Sequence, residues 1–173
     1  MSERERFVEG DDGREVRLGP AEVALLRDLA TQVEAVVTGP ATELGASPVR
    51  DRLFPRAYDD PTEDEAETDW QTASHPDLVR GKSEGLSALL ADLDGARGEP
   101  GGPVVVALTD ERLEGWVGAL NDLRLALAVS IGLTDEHQEV SDGDPLAPMF
   151  DAYHWLTWFQ GACIEALVGD LGL

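Results

Sequence analysis

The sequence predicts a mainly α fold, a helical bundle around a buried C-terminal helix, with a small antiparallel β element. The C-terminal helix is expected from about Met149 to Leu171, where apolar residues run almost all the way round. Between Ala152 and Val168 the only formally charged side chain is Glu165. Because such a helix needs to be covered on all sides, we expect three other long helices to wrap it. An N-terminal hairpin and a short apolar strand are expected to form the β element.

The first part of the chain predicts the hairpin and two helices. Residues 6–18 alternate apolar and polar positions around a turn rich in Gly and Asp, which is typical of a hairpin. Residues 19–40 begin and end with Gly-Pro and carry a one-sided stripe of Leu and Val, as an amphipathic helix does. Ser47 followed by proline has the cap-then-proline form of a short helix, which should stop before Pro55.

Two acidic segments, about residues 59–70 and 135–146, are predicted to be loops. The stretch from Asp59 to Asp69 has seven acids and no base, and so many like charges should not pack. We expect this loop to be mobile and solvated rather than a metal site, because it lacks the alternating acids and central Gly of an EF-hand loop. Pro76 is then expected to begin the third helix.

The remaining elements are a strand and a long helix. Residues 95–103 are rich in Gly and Pro and predict a linker or exposed turn. Val104–Leu108 predicts a short buried strand, which can join the hairpin as its third strand. Thr109 is expected to cap a helix that runs to about Gly132. These elements fit one domain that spans the 173 residues of the chain.

Arg124 lies in the middle of an apolar stripe on the helix that follows Thr109. A guanidinium in such a position costs several kcal/mol unless it is paired and hydrogen-bonded, so it needs a partner. Glu165 is the first candidate, and the acidic loop after Tyr58 is the second. Asp122 is expected to point away from this stripe.

Two interpretations of Arg124 stay open at this point. In the first, a buried ion pair fixes the register of the helices, and a lone Arg–Glu pair performs no reaction. In the second, basic side chains hold an anion in a pocket while a histidine supplies an acid or a base. The residues considered for this pocket are Lys82, Asn121, Arg124, His154 and Glu165, with Arg56 as a further anion-binding candidate.

A different surface is expected just after the short helix. Phe54 and Tyr58, if exposed there, are candidates for a protein interface together with Arg56, because loops on a rigid scaffold often carry function. Trp155 and Trp158, one helical turn apart, are expected in the core. A homodimer stays open, because the sequence does not show which apolar faces are left exposed.

Composition excludes several classes of protein. The formal charge is −22, from 35 acidic and 13 basic residues, and such a surface repels phosphate backbones, so we expect no nucleic-acid partner. The charged start does not resemble a signal peptide, and no stretch is a convincing membrane span. The single cysteine, Cys163, excludes an intrachain disulfide and suits a reducing compartment, so we expect a cytoplasmic protein.

The usual catalytic motifs are absent from the sequence. It has no Gly-rich phosphate loop ending in Lys-Ser/Thr, no nucleophile elbow, no paired-histidine metal helix and no dinucleotide fingerprint. We therefore expect no cofactor and no bound metal. An enzyme would require an unfamiliar constellation of residues, so the sequence favours a protein without catalytic activity.

Four segments, taken in order, resemble a known family. They are Leu53–Tyr58 (LFPRAY), His75–Lys82 (HPDLVRGK), Trp116–Leu125 (WVGALNDLRL) and Tyr153–Trp158 (YHWLTW). Together they are similar to actinobacterial, uncharacterised cytoplasmic proteins grouped as a domain of unknown function, DUF2017. Members of that family are often encoded beside a ClpS-like adaptor of the Clp protease, which implies a role linked to proteolysis. The resemblance assigns no catalytic residue.

Two functional hypotheses follow. The first is a regulatory or protein-interaction protein, linked to regulated proteolysis, that binds a protein partner through Leu53–Tyr58 and the adjacent acidic loop. The alternative is a small enzyme or ligand-binding protein with an anion pocket around Arg124, His154 and Glu165.

Overall fold

The computed structural model describes residues 6–10, 13–40, 47–98, 100–135, 138, 140–141 and 143–169. Within these ranges five helices and four strands follow one another, together with a short 3-10 helix at Pro61–Glu63. In chain order they are β1 (Phe7–Gly10), β2 (Gly13–Leu18), α1 (Pro20–Thr38), α2 (Pro48–Leu53), α3 (Asp64–Asp94), β3 (Arg97–Gly98), β4 (Val104–Leu108), α4 (Asp110–Ser130) and α5 (Ala147–Val168). The predicted class, mainly α with a small β element, is confirmed.

The four strands form one antiparallel sheet in the order β1-β2-β4-β3. The predicted hairpin is confirmed, and β4 joins it beside β2, with Val16 opposite Val106. Gly13 allows the close approach of these strands, because its φ is 149° and a Cβ there would lie 2.3 Å from the Leu108 carbonyl oxygen. The two-residue strand β3 was not predicted, since it lies in the segment expected to be a linker.

The starts of three helices follow the predicted signals. Helix α1 begins at Pro20, and the Glu22 side chain accepts a hydrogen bond from the Gly19 N–H. The Ser47 hydroxyl caps α2 by accepting from the Arg50 N–H, as expected. Thr109 caps α4 in the same way, as predicted for that helix.

Helix α4, rather than the C-terminal helix α5, lies at the centre of the bundle. It packs against α1, α2, α3, α5 and β4, and Leu113, Trp116 and Leu120 on it are almost fully buried. Helix α5 packs mainly on α4 and leaves Ile164 and Val168 44% and 48% exposed. The expectation that other helices wrap the last helix is therefore wrong, because a low charge content does not require burial on every side.

The third helix begins earlier than predicted. Helix α3 starts at Asp64 and contains Pro76, so the expected acidic loop over residues 59–70 is wrong from Asp64 onward. The acids of its first turn, which include Glu67, lie at the positive end of the helix dipole, where negative charge is favourable. Pro76 cannot bond the Thr72 carbonyl, but both residues are exposed, so water can satisfy that oxygen.

The second acidic segment, predicted as a loop over about residues 135–146, is described only in part. The described residues between Leu133 and Leu146 belong to no helix or strand, and residues 136, 137, 139 and 142 lie outside the described part. Helix α5 begins at Ala147 and is described to Val168, while the predicted end at Leu171 lies beyond the described residues. None of the described helices is long and apolar enough to cross a membrane.

Candidate functional site

The segment between α2 and α3 is fixed by a buried carboxylate. Glu67, 6% exposed, accepts hydrogen bonds from the backbone N–H groups of Ala57 and Tyr58, both at 2.9 Å. Gln71 Nε2 donates to its other oxygen at 2.7 Å. The Gln71 bond and the two backbone N–H groups lower the pKa of Glu67, against the opposing effect of burial. The carboxylate is therefore held ionised, and it holds the turn in place.

Arg56 and Tyr58 form the outer side of this turn. Arg56 Nε donates to the Tyr58 carbonyl at 3.0 Å, and its Nη2 pairs with Asp64 at 2.6 Å. Tyr58 is 37% exposed. We define the Tyr58 surface as its ring together with the exposed carboxylates of Asp59, Asp60, Glu63 and Asp64.

Phe54, which was expected to be exposed with Tyr58, is buried. It is 8% exposed and lies between two cationic groups, with the Arg50 guanidinium 5.2 Å and the Lys82 ammonium 5.9 Å from its ring. The His75 ring packs on it at 4.8 Å. Arg50 also donates to the carbonyls at the end of α1, including Val36 at 2.6 Å. Phe54 is therefore removed from the interface hypothesis, because its ring is buried against His75 and Lys82 of α3.

His75 is held in one orientation by the same cluster. Its Nε2 lies 3.4 Å from Arg50 Nη2, and a guanidinium can only donate, so Nε2 accepts and the proton is placed on Nδ1. Nδ1 has no hydrogen-bond partner in the described part of the chain.

Lys82 pairs with Asp122, which was expected to point away from the apolar stripe of its helix. Lys82 Nζ lies 2.6 Å from Asp122 Oδ1, and Asp122 is 5% exposed. Burial raises the pKa of Asp122, and the ammonium of Lys82 opposes that rise. The pair links α3 to α4, so Lys82 is placed away from Arg124's partners. Lys82 lies among the apolar positions of α3 in the sequence. That position was a signal that its ammonium group needs an ionic partner on a neighbouring helix.

Arg124 is half-buried and its hydrogen bonds go to neutral groups. Nε donates to the Thr157 hydroxyl at 3.0 Å, and Nη1 donates to Gln160 Oε1 at 2.5 Å. The guanidinium also lies 5.6 Å from the centre of the Tyr153 ring. Glu165, the expected partner, is exposed on another part of α5, so the predicted Arg124–Glu165 pair is wrong. Helical periodicity did not show which turn of α5 faces Arg124 on α4.

A cleft of about 410 Å³ opens beside Arg124. Helix α2 contributes Arg52, α4 contributes Asn121 and Arg124, and α5 contributes Tyr153. The predicted pocket residues are thus partly brought together: Asn121 and Arg124 line the cleft, whereas the exposed His154 does not. Arg52 and Tyr153 were missed, because nothing local marks them and only the packing of three helices assembles the cleft.

A second buried ion pair was not predicted from the sequence. Arg6, 4% exposed, donates twice to the Glu22 carboxylate, both at 2.8 Å, and Trp155 Nε1 donates to the same group at 3.1 Å. Burial of Glu22 tends to raise its pKa, but the bonds from Arg6, Gly19 and Trp155 lower it on balance. The pair joins the start of the sheet to α1 and α5.

Cys163 is fully buried, and burial raises its pKa to about 12. A thiol in that state is a poor nucleophile, because the thiolate is the reactive form. Among the described residues, no group of three or more His, Cys, Asp or Glu side chains is arranged to hold a metal ion. The described geometry defines a helical protein with an acidic, aromatic surface and a separate arginine-lined cleft.

The chain belongs to the DUF2017 family, a domain of unknown function, whose family model matches residues 4–167. Two relatives, each named oxidative stress regulator AosR, come from Mycobacterium bovis and Mycobacterium tuberculosis. Each is 29% identical over 200 residues, an alignment that covers 96% of this chain and 88% of the relative. No solved structure matches the chain.

Proposed function

We propose that this chain is a regulatory protein of the cytoplasm that acts under oxidative stress by binding a protein partner through the Tyr58 surface. The regulatory role and its context are supported by the names of the two mycobacterial relatives, which align with almost the whole chain. The binding surface is supported by the fixed turn that presents Tyr58.

Two hydrogen bonds, from the backbone of Ala57 and Tyr58 to Glu67, are the main support for choosing this surface. The buried Glu67 carboxylate accepts both backbone N–H groups and so holds the backbone of this turn. The backbone that carries Tyr58 is thereby fixed before binding, which lowers the entropy lost when a partner is bound. Tyrosine side chains are frequent anchors of protein interfaces.

The chemistry of this surface favours a basic partner. The exposed acids Asp59, Asp60, Glu63 and Asp64 follow Tyr58 closely in the chain, and Arg56 pairs with Asp64. Lys and Arg side chains of a partner would be attracted over a distance and one could lie on the face of Tyr58. The overall charge of −22 acts in the same direction and opposes binding to nucleic acid.

The oxidant is not expected to be sensed by this chain's own thiol. Cys163 is its single cysteine, is buried, and has a pKa raised to about 12. A change in the partner or in its abundance would then control binding. The gene association of the family with a ClpS-like adaptor makes components of Clp-dependent proteolysis the first partners to test.

Affinity capture tests this proposal. Tagged wild-type protein, Tyr58→Ala and the matched control Ile164→Ala, which truncates an exposed apolar side chain on α5, are each used to capture partners from oxidant-treated cytoplasm. We expect a stoichiometric basic partner with the wild type and the control, released as salt is raised. With Tyr58→Ala its affinity should fall at least about tenfold. Equal capture by all three proteins would overturn the assignment of the surface.

A further inference from the structure

The arginine in the cleft is oriented without being neutralised. Thr157 accepts from Arg124 Nε while its own hydroxyl donates to the Tyr153 carbonyl at 2.9 Å. Gln160 accepts from Nη1 while its amide donates to the Val117 carbonyl at 3.0 Å. Both acceptors are therefore held in place by bonds of their own. The charge of Arg124 stays uncompensated by these neutral groups, and in the described part of the chain its Nη2 donates to no residue.

This arrangement differs from that of other arginines in the same chain. Acids outnumber bases 35 to 13, and Arg6 pairs with Glu22, Arg27 with Asp94 and Arg112 with Asp92. Arg52, across the cleft on α2, is exposed and makes no hydrogen bond or ion pair with any described residue. Two arginines that pair with no carboxylate of the described residues thus line one cleft, and planar guanidinium groups can bind an oxyanion.

The other walls of the cleft define the rest of a ligand. Leu125, Ala128 and Val129 form an apolar side, and Asn121 adds an amide that can donate or accept. Asp135 also lines the cleft, so a second anionic group at that end would be repelled. The volume of about 410 Å³ suits a small molecule rather than a macromolecule.

We propose that the cleft between α2, α4 and α5 is a binding site for a small amphiphilic oxyanion, a phosphate ester or a carboxylate with an apolar body. Arg52 and Arg124 bind the oxyanion, Asn121 orients it, and the aliphatic side chains of α4 contact the apolar body. The site uses none of the residues of the Tyr58 surface, so binding of the oxyanion and binding of the proposed partner can be tested separately.

Titration with defined probes tests the site. Phenyl phosphate, benzoate and the neutral analogue benzamide are titrated into ¹⁵N-labelled protein, and backbone and arginine side-chain resonances are followed. We expect at least one of the two anions to shift signals of the cleft residues at millimolar concentration, and benzamide to shift none. A response to phenyl phosphate alone would assign a phosphate ester, and a response to benzoate alone would assign a carboxylate.

Two variants and a control decide whether the arginines bind the anion. Arg52→Gln should weaken binding about tenfold, because one charge-assisted hydrogen bond is lost. This variant should fold normally, since Arg52 is exposed and bonds to no described residue. Arg124→Gln should weaken binding at least as much, whereas Arg56→Gln, outside the cleft, should not. Absence of any shift with both anions, or unchanged affinity in Arg52→Gln, would overturn the site.

Discussion

The buried pair of Lys82 and Asp122 offers a quantitative test of the packing between α3 and α4. At 2.6 Å and an effective dielectric constant of about 20, their attraction is about 6 kcal/mol. Desolvation costs several kcal/mol for each ion, so the two effects nearly cancel. Removing one partner leaves the other charge without compensation. We therefore predict that Lys82→Met lowers the free energy of unfolding by about 3–5 kcal/mol.

Urea unfolding followed by tryptophan fluorescence measures this effect for both single variants and the double variant Lys82→Met/Asp122→Leu. The double variant should be close to the wild type or more stable, because no charge remains buried. Asp122→Leu should cost less than Lys82→Met, since the Lys82 side chain is 23% exposed and its ammonium can reach water. Additive effects of the two substitutions would refute the coupling between these residues.

The pH dependence of Lys82→Met gives a second check on the same pair. The pKa of Asp122 is already raised in the folded protein, and without Lys82 it should rise further. A carboxyl whose pKa is higher in the folded than in the unfolded protein stabilises the folded state fully at pH values below its unfolded pKa. This stabilisation is lost as the pH rises through its folded pKa. The deficit of Lys82→Met should thus be smaller at about pH 5 than at about pH 7.

Two further predictions concern buried groups. Glu22→Ala should lower the free energy of unfolding by about 3–5 kcal/mol, measured by urea unfolding, because Arg6 is left buried and unpaired. The pKa of Glu22 is lowered in the folded state, so the ionised Glu22 should stabilise the folded protein above the unfolded pKa of this carboxyl. That stabilisation should be lost as the pH falls through the folded pKa. An acid-unfolding transition that is unchanged in Glu22→Ala would contradict this. Cys163 should resist alkylation and peroxide in the folded protein and react once urea unfolds it, as mass spectrometry can follow. Rapid modification of the native thiol would show that it is accessible.

Local signals predicted the elements that depend on neighbouring residues. Gly19 and Pro20 marked the start of α1, and the apolar run Val104–Leu108 marked β4, because caps, prolines and short β-branched runs act within a few residues. The acidic start of α3 was missed, since charge repulsion was weighed without the inward hydrogen bonds of Glu67. The bonds from Ala57 and Tyr58 to Glu67 form only when the chain after Phe54 folds back on α3.

The candidate site was predictable only in part. Arg124 and Asn121 were placed in a pocket from their own helix, and they do line the cleft. The partners of Arg124 depend on how α5 rotates against α4, which helical periodicity does not define. Periodicity likewise does not define how α3 faces α4. Lys82 was therefore assigned to the pocket, although it pairs with Asp122 on another side of α4.

Survival of oxidant is the decisive test of a regulatory role for the Tyr58 surface. A strain that lacks this gene is complemented with the wild type, with Tyr58→Ala or with the control Ile164→Ala, at equal protein levels, and growth is measured after hydrogen peroxide. We expect the wild type and Ile164→Ala to restore growth and Tyr58→Ala to fail. Full restoration by Tyr58→Ala would contradict a regulatory role exercised through the Tyr58 surface.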